Sequence, residues 1–412
     1  MTASTSRPTS RPTSRPTSSV PFLDVASMAR WVAHRGPEAV ISRLVDALEV
    51  DFARWPDLDK RPRIASHSRD GVIELMPTSD DVTYGFKFVN GHPRNPVRGH
   101  QTVTAFGVLA DVRTGYPTFL AEMTLLTALR TAATSALAAR YLARAGSRTL
   151  ALIGAGSQSE FQALGMRAAL GITHLRVWDT DPGAQAKLAR HARALGFEVH
   201  EATSGEDAVT GADVITTCTA DKANATVLTH DMVFRLAHPG VHVNAIGGDC
   251  PGKTELDPAI LRDAEVFVEF EPQTRVEGEI QQTPDLVVTE LWEVVAGRRD
   301  GRRGAPAAGG PGEAFARHAG DRHTPDDTTV TVFDSVGFAV EDWAALRFVR
   351  DDVPAGLLQQ LDLVAEPEDP KDLYSLVLAA QEDDRADARR ALDRLMGLAG
   401  RGHVEAFAAA PS

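Results

Sequence analysis

Cysteine is nearly absent: the 412 residues hold only Cys218 and Cys250, too few for a disulfide framework and in no CxxC pair. A reducing compartment fits this, and a cytoplasmic location is expected. No apolar run nears the length that spans a bilayer, so no transmembrane helix is expected, and the N-terminus lacks an apolar signal core. Positive charge is in deficit. Against 56 Asp and Glu stand 43 Lys and Arg, a formal net charge of −13, which disfavours nucleic acid and anionic membranes as partners. The one local basic cluster, residues 298–303, is Gly-containing and reads as solvated loop. Histidines 92, 100, 230, 238 and 242 show no HExxH or paired spacing, so no metal site is expected.

What is present is the composition of a globular protein, 43% hydrophobic and 24% charged, long enough for two domains. Residues 1–19 read as a disordered tail: Ser-Arg-Pro-Thr repeats place Pro8, Pro12 and Pro16 where no amphipathic helix can form. Apolar residues at helical spacing (Val40, Leu44, Val45, Leu48, Phe52) predict one long helix from Met28 to Trp55. Short apolar runs separated by Gly, Pro and Asn then predict an antiparallel sheet through about Phe106, with a turn at Asp111–Gly115. From Leu125 an Ala- and Leu-rich helix leads into alternating strands and helices, the texture of right-handed βαβ units around a parallel sheet.

The expected fold class is therefore α/β, a Rossmann-type doubly wound parallel-sheet domain plus an α+β substrate-binding and dimerisation domain. The first would span residues 131–334, with a flexible inserted loop at 297–327; the second would span 20–130 plus 335–370. Residues 371–412 would add a charged helix and tail.

The clearest motif is Leu150-Ala-Leu-Ile-Gly154-Ala-Gly156-Ser157-Gln158-Ser159, two glycines directly after a strand and before a helix. Gly154 permits the tight turn, Gly156 lets a pyrophosphate approach the backbone, and the amides opening the helix face that anion. Ser159 replaces the third glycine of GxGxxG. Asp179 ends the next strand, where a carboxylate accepts both ribose hydroxyls and repels a 2′-phosphate, favouring NAD over NADP. The alternative is an unliganded βαβ turn with a helix-capping aspartate.

Three basic residues sit among apolar neighbours: Arg63, with Glu74 following, Lys87 and Arg130. A substrate carboxylate would satisfy all three; alternatively each belongs to a separate structural ion pair. Cys250 beside Asp249 raises a nucleophile with His242 as base, but no triad or oxyanion spacing supports it.

The runs Lys87-Phe-Val-Asn-Gly-His-Pro, Thr124-Leu-Leu-Thr-Ala-Leu-Arg130-Thr-Ala-Ala-Thr, Gly247-Gly-Asp249-Cys-Pro-Gly-Lys253-Thr-Glu, Glu271-Pro-Gln-Thr-Arg-Val-Glu-Gly-Glu-Ile-Gln-Gln282 and Val332-Phe-Asp-Ser335-Val336-Gly closely resemble the ornithine cyclodeaminase and mu-crystallin family. The resemblance covers about Val20 to Tyr374, excepting the Gly/Arg loop. It implies a homodimeric NAD-dependent ammonia-lyase that turns L-ornithine into L-proline and ammonia by transient hydride transfer, in proline biosynthesis or ornithine and arginine catabolism. It implies Asp249 and Glu74 as catalytic residues, with Arg63, Lys87, Arg130, Asp249 and Val336 at the substrate. For the cofactor it implies Thr102, Arg130, Gly154, Gly156, Ser157, Gln158, Asp179, Thr219, Val243, Asn244, Ala245, Ile246, Lys253 and Ser335. Sibling activities of the family are the rival enzymes: lysine cyclodeaminase, ketimine reductase or an alanine-type dehydrogenase. A non-catalytic binding protein is the rival from another class; retention of Asp249 and Glu74 argues against it.

Overall fold

The computed structural model describes residues 19–220, 226–299 and 328–405. The expected disordered tail, apart from Ser19, and the expected flexible loop beyond residue 299 lie outside the described residues. The chain divides into a large unit, Pro21–Gln359, and a small unit that contains Ser19, Val20 and residues 360–405 of those described. In the small unit Ser375–Glu405 is a single helix, where charged helical sequence was expected from Lys371 to Leu398. No helix among the described residues is long and apolar enough to cross a membrane.

In chain order the first strands are β1 (Ser19–Leu23, of which the large unit holds Pro21 onward), β2 (Asp59–Lys60), β3 (Ile64–His67), β4 (Val72–Ser79), β5 (Thr83–Gly91), β6 (Ala105–Asp111) and β7 (Pro117–Glu122). They form one sheet in which β4, β5, β6 and β7 run antiparallel, and β2 and β3 both pair with β4. The end of β1 adds in parallel, Phe22 against Leu120 and Leu23 against Ala121. Alternation along the strands buries Glu74 and Met76 on β4 and Lys87 and Val89 on β5. Two ionisable side chains thus point to the same covered face as the core.

The second sheet comprises β8 (Thr149–Ile153), β9 (His174–Trp178), β10 (Glu198–Glu201), β11 (Val214–Thr217), β12 (His242–Ala245), β13 (Glu265–Val268), β14 (Thr289–Glu290) and β15 (Thr331–Asp334). All its pairs are parallel, in the order β10-β9-β8-β11-β12-β15-β13-β14. The order reverses between β8 and β11, the switch point at which doubly wound sheets receive ligands.

Between the sheets lies the helix Thr124–Leu142, buried nearly all round, as its Ala and Leu content requires. It touches β6 of the first sheet and β12 and β15 of the second. The helix Ser159–Leu170 packs closely on it because Gly165 has no side chain: a Cβ there would stand 2.7 Å from the carbonyl oxygen of Ala132.

One expectation is corrected. The long helix from Met28 to Trp55 is two helices, Val25–Arg35 and Pro37–Ala53. Gly36, at φ +85°, ends the first, and Pro37 supplies the first turn of the second, where its missing N–H costs nothing. Apolar periodicity runs across such a joint and hides it. The helix Ala339–Asp352, packed on β4, β5 and β6, was not foreseen; it carries Glu341 and Asp342, which pair with Arg130 and Lys87.

Candidate active site

The glycine turn after β8 has the geometry its sequence implies. Gly154 sits at φ +101°, and a Cβ there would lie 2.8 Å from the carbonyl oxygen of Cys218, so only glycine fits the switch point. Gly156 is exposed, with open space where its side chain would be. Ser159, in place of the third glycine, is buried and its hydroxyl donates to the Gly156 carbonyl at 2.8 Å. Gln158 stands at the N-cap of the following helix, and its buried Oε1 has no hydrogen-bond partner. Ser157 is exposed beside it.

Asp179 is shared between two turns: Oδ2 accepts from Ala155 N–H at 2.6 Å and Oδ1 from Asp181 N–H at 2.8 Å. The next helix is capped by Asp181, not by Asp179, which leaves the Asp179 carboxylate beside the glycine loop with lone pairs to spare. An open glycine, a helix N-terminus opening behind the exposed Ser157, an orphaned amide oxygen and a carboxylate at the end of the second strand together fit a dinucleotide.

Across the switch point, buried Glu255 accepts from Thr219 N–H at 2.8 Å and Gly247 N–H at 3.0 Å. Glu279 in turn accepts from the Glu255 and Leu256 amides at 2.7 and 3.0 Å. These carboxylates occupy the space where Cβ atoms of Gly247 and Gly248 would be, which explains the Gly-Gly pair before Asp249. Asp249 itself is 54% exposed, and its Oδ1 lies 3.2 Å from Lys253 Nζ. Lys253 is buried and also donates to the Thr219 carbonyl at 3.1 Å. Burial pulls its ammonium down, but Asp249 and Glu255 outweigh that and the net shift is upward.

Val243, Asn244, Ala245 and Ile246 run along and just beyond β12; Val243, Asn244 and Ala245 are fully buried, and Ile246 N–H donates to Thr217 O at 3.1 Å. The Asn244 side chain meets His242 and Met166. Thr102 lies in the β5–β6 connection, its carbonyl accepting from His92 N–H at 2.9 Å.

The three expected cations do converge. Arg63 donates through Nη2 to the carbonyls of Val336 and Gly337, 2.6 Å each. A Cβ on Gly337 would lie 2.8 Å from Arg130 Nη1. Arg130 and Lys87 share Asp342, Arg130 Nε at 2.8 Å and Lys87 Nζ at 2.8–2.9 Å. All three cations are paired with carboxylates, as the ion-pair alternative foresaw, but not separately, since Lys87 and Arg130 meet on Asp342. Arg63 Nη1 donates to Glu74 at 3.0 Å, Arg63 Nε stands 3.0 Å from Glu277, and Arg130 Nη1 donates to Glu341 at 2.6 Å.

Burial and the Arg130 charge push the Lys87 ammonium down to about 8, with Asp342 opposing. Burial raises Glu341 to about 8 and Glu277 to about 7. Ser335 and Val336 are fixed by Glu269, fully buried, which accepts from the Ser335 hydroxyl and from the Val336 and Gly337 amides at 3.3 and 3.2 Å.

Sequence reasoning missed Glu277, Glu269, Glu341 and Asp342. The signal for the last pair was present: two adjacent acids inside the otherwise apolar run Gly337-Phe-Ala-Val-Glu341-Asp342-Trp-Ala-Ala-Leu. In the first turn of a helix they also suit its dipole.

Comparison with known proteins follows the same lines. A model described as the ornithine cyclodeaminase/mu-crystallin family matches residues 26–307 and 319–356. Ornithine cyclodeaminase of Brucella suis biovar 1 (strain 1330) is 55% identical over 361 residues, 87% of this chain and 94% of that protein. A solved lysine cyclodeaminase, studied for its recognition of L-lysine, L-ornithine and L-2,4-diaminobutyric acid, aligns with TM-score 0.74 and 31% identity, covering 86% of this chain and 99% of that one. An archaeal alanine dehydrogenase dimer with bound NAD aligns with TM-score 0.68 and 26% identity, covering 83% and 99%.

Proposed function

The chain belongs to the ornithine cyclodeaminase/mu-crystallin family, and from that premise we infer that it is an NAD-dependent cyclodeaminase converting L-ornithine into L-proline and ammonia. The observation that carries the reading is 55% identity to an ornithine cyclodeaminase across 94% of that protein's length. The site supports it.

Bound NAD supplies reversible hydride acceptance at the substrate α-carbon, so that the overall conversion has no net redox change. The switch-point residues would hold it: Gly154, Gly156, Ser157 and Gln158 at the pyrophosphate, Asp179 at the adenosine ribose, and Thr102, Arg130, Thr219, Val243–Ile246, Lys253 and Ser335 around the remainder.

Lys87, Arg130 and Arg63 grip the substrate carboxylate, which enters among cations already held in place by Asp342, Glu341 and Glu74. Val336 lines the pocket beside them. Ring closure needs a neutral side-chain amine, whereas in water near pH 7 that amine is an ammonium. Asp249 binds the ammonium and accepts its proton. Lys253, tethered both to Asp249 and to the cofactor side at Thr219, keeps the carboxylate aimed. Glu74 receives the α-amine. Because ring closure is intramolecular, holding both ends of the chain supplies much of the rate.

A division of labour follows, with residues 20–130 and 335–370 holding substrate and residues 131–334 holding NAD. Homodimerisation through the first sheet is supported by its open face, where Ile64, Leu75, Phe88 and Phe106 stand in cross-strand register. Ile64, Leu75 and Phe106 are exposed there. A cytoplasmic location fits a chain with only two cysteines.

The test is stoichiometry. Purified protein with catalytic NAD should release proline and ammonia from L-ornithine in equal amounts without accumulating NADH. Accumulating NADH would make it a net dehydrogenase, and turnover of lysine alone would shift the substrate assignment.

A further inference from the structure

We propose that Glu277 is a specificity-determining residue of the substrate pocket, a second carboxylate that, with Asp249, receives the side-chain ammonium of a diamino acid. The proposal rests on the cyclodeaminase reading and deepens it.

Glu277 is held unlike any other buried acid among the described residues. Glu255, Glu269, Glu279 and Asp334 each accept two backbone amides and so serve as structural clamps. Glu341 and Asp342 each accept from a buried cation. The Glu277 carboxylate accepts no hydrogen bond, although only 7% of its side chain is exposed. Its one close contact is Arg63 Nε at 3.0 Å, off the hydrogen-bonding line. A buried carboxylate without donors is costly, and a donor that arrives with the ligand removes the cost.

Holding Arg63 does not by itself account for Glu277. That guanidinium already has Glu74 and two carbonyls. The pocket is also polarised. Lys87 and Arg130 act electrostatically on each other at one end, with Arg63 acting on both. Glu277 answers to Arg63, Glu74 and Asp249. Arg63 joins the two groups: through Nη2 it takes the carbonyl of Gly337, which lies against Arg130, and its Nε faces Glu277, with Asp249 near enough to act on both Arg63 and Glu277. An amino acid whose carboxylate lies at the first group directs its side chain to the second, and only a side chain ending in an ammonium satisfies two carboxylates there. Burial, with Glu74 and Asp249 adding and Arg63 opposing, pushes the Glu277 carboxyl up to about 7, and an ammonium beside it would favour the charged form.

Titration calorimetry on the NADH-loaded protein tests this without turnover, using L-ornithine and L-norvaline as probes. The two share an α-carboxylate and an α-amine and differ in the side-chain ammonium. Glu277→Gln should weaken L-ornithine about 10- to 100-fold while leaving L-norvaline within about twofold, the size of one lost charge-assisted hydrogen bond. Equal losses for both probes would make Glu277 a prop for Arg63 and overturn the proposal, as would unchanged ornithine affinity. Should Glu277→Gln fail to fold, the wild type carries the test. Its ornithine-to-norvaline affinity ratio should rise as pH climbs through about 7, since the acceptor ionises and the groups facing it are Arg63, Glu74 and Asp249. A ratio independent of pH would overturn the proposal. If the wild type forms no proline from L-ornithine, the cyclodeaminase reading falls, and that result is distinct from either calorimetric outcome.

Discussion

Replacing Gly337 with alanine probes how tightly the cations proposed to bind the substrate carboxylate are built. Gly337 has φ +74°, and a Cβ would sit 2.8 Å from Arg130 Nη1 and 2.9 Å from Nη2. An alanine in the left-handed region costs about 1–2 kcal/mol. The clash would ordinarily be cheap, because the far end of an arginine can swing aside. Here it cannot. Glu341 holds Nη1 at 2.6 Å and Asp342 holds Nε at 2.8 Å, both carboxylates being fully buried on a rigid helix. Moving the guanidinium by the roughly 0.5 Å required strains two buried ion pairs and adds about 1–2 kcal/mol, a fraction of what breaking one would cost. The expected total is about 2–4 kcal/mol, read as a fall of roughly 2–5 °C in Tm for a chain of this length. KM for L-ornithine should rise about 10- to 100-fold, since misplacement on this scale removes a substrate contact. Gly146→Ala is the control: its φ is +76° and nothing lies within 4 Å of the added Cβ, so it carries strain alone. If Gly337→Ala matches Gly146→Ala in Tm and has wild-type KM, Arg130 is not the pinned group described, and the reasoning fails.

Two further consequences concern charge and cofactor. With its ammonium pushed down to about 8, Lys87 loses its charge as pH rises through that value; it binds a carboxylate only while protonated, so KM for L-ornithine should climb above about pH 8. Lys87→Met should raise KM at least about tenfold and abolish that limb; a KM flat to pH 9.5 would contradict the assignment. Asp179→Ala removes the acceptor of the Ala155 amide as well as the ribose contact. NADH affinity, followed by fluorescence, should fall about 10- to 100-fold with ornithine affinity little changed, and unaltered NADH binding would count against the switch-point site.

The dinucleotide half was legible because its constraints are local. Gly154 admits no side chain, Gly156 needs open space, and a strand-ending acid stands at a fixed distance, so sequence spacing and geometry coincide. The cations were legible for a related reason, each being costly among apolar neighbours. Their acidic partners were not. Glu341 and Asp342 lie more than 200 residues from Arg130 and Lys87 in sequence, and an acid at a helix start reads equally well as a capping or solvated residue. Glu277 was hidden in the same way, on a short helix whose charged residues suggest surface. The Gly36–Pro37 joint escaped because hydrophobic periodicity reports which face is buried and not whether the helix is continuous.

The claim at the centre of the account is that Asp249 takes the proton of the substrate's side-chain amine. Its most direct test is turnover of L-ornithine by Asp249→Asn, with NADH affinity measured on the same preparation. The account predicts a fall in kcat of about 10²- to 10⁴-fold, with NADH affinity within about twofold of wild type. A variant that forms proline at a rate within about fivefold of wild type would contradict it, and the proton would have to go elsewhere.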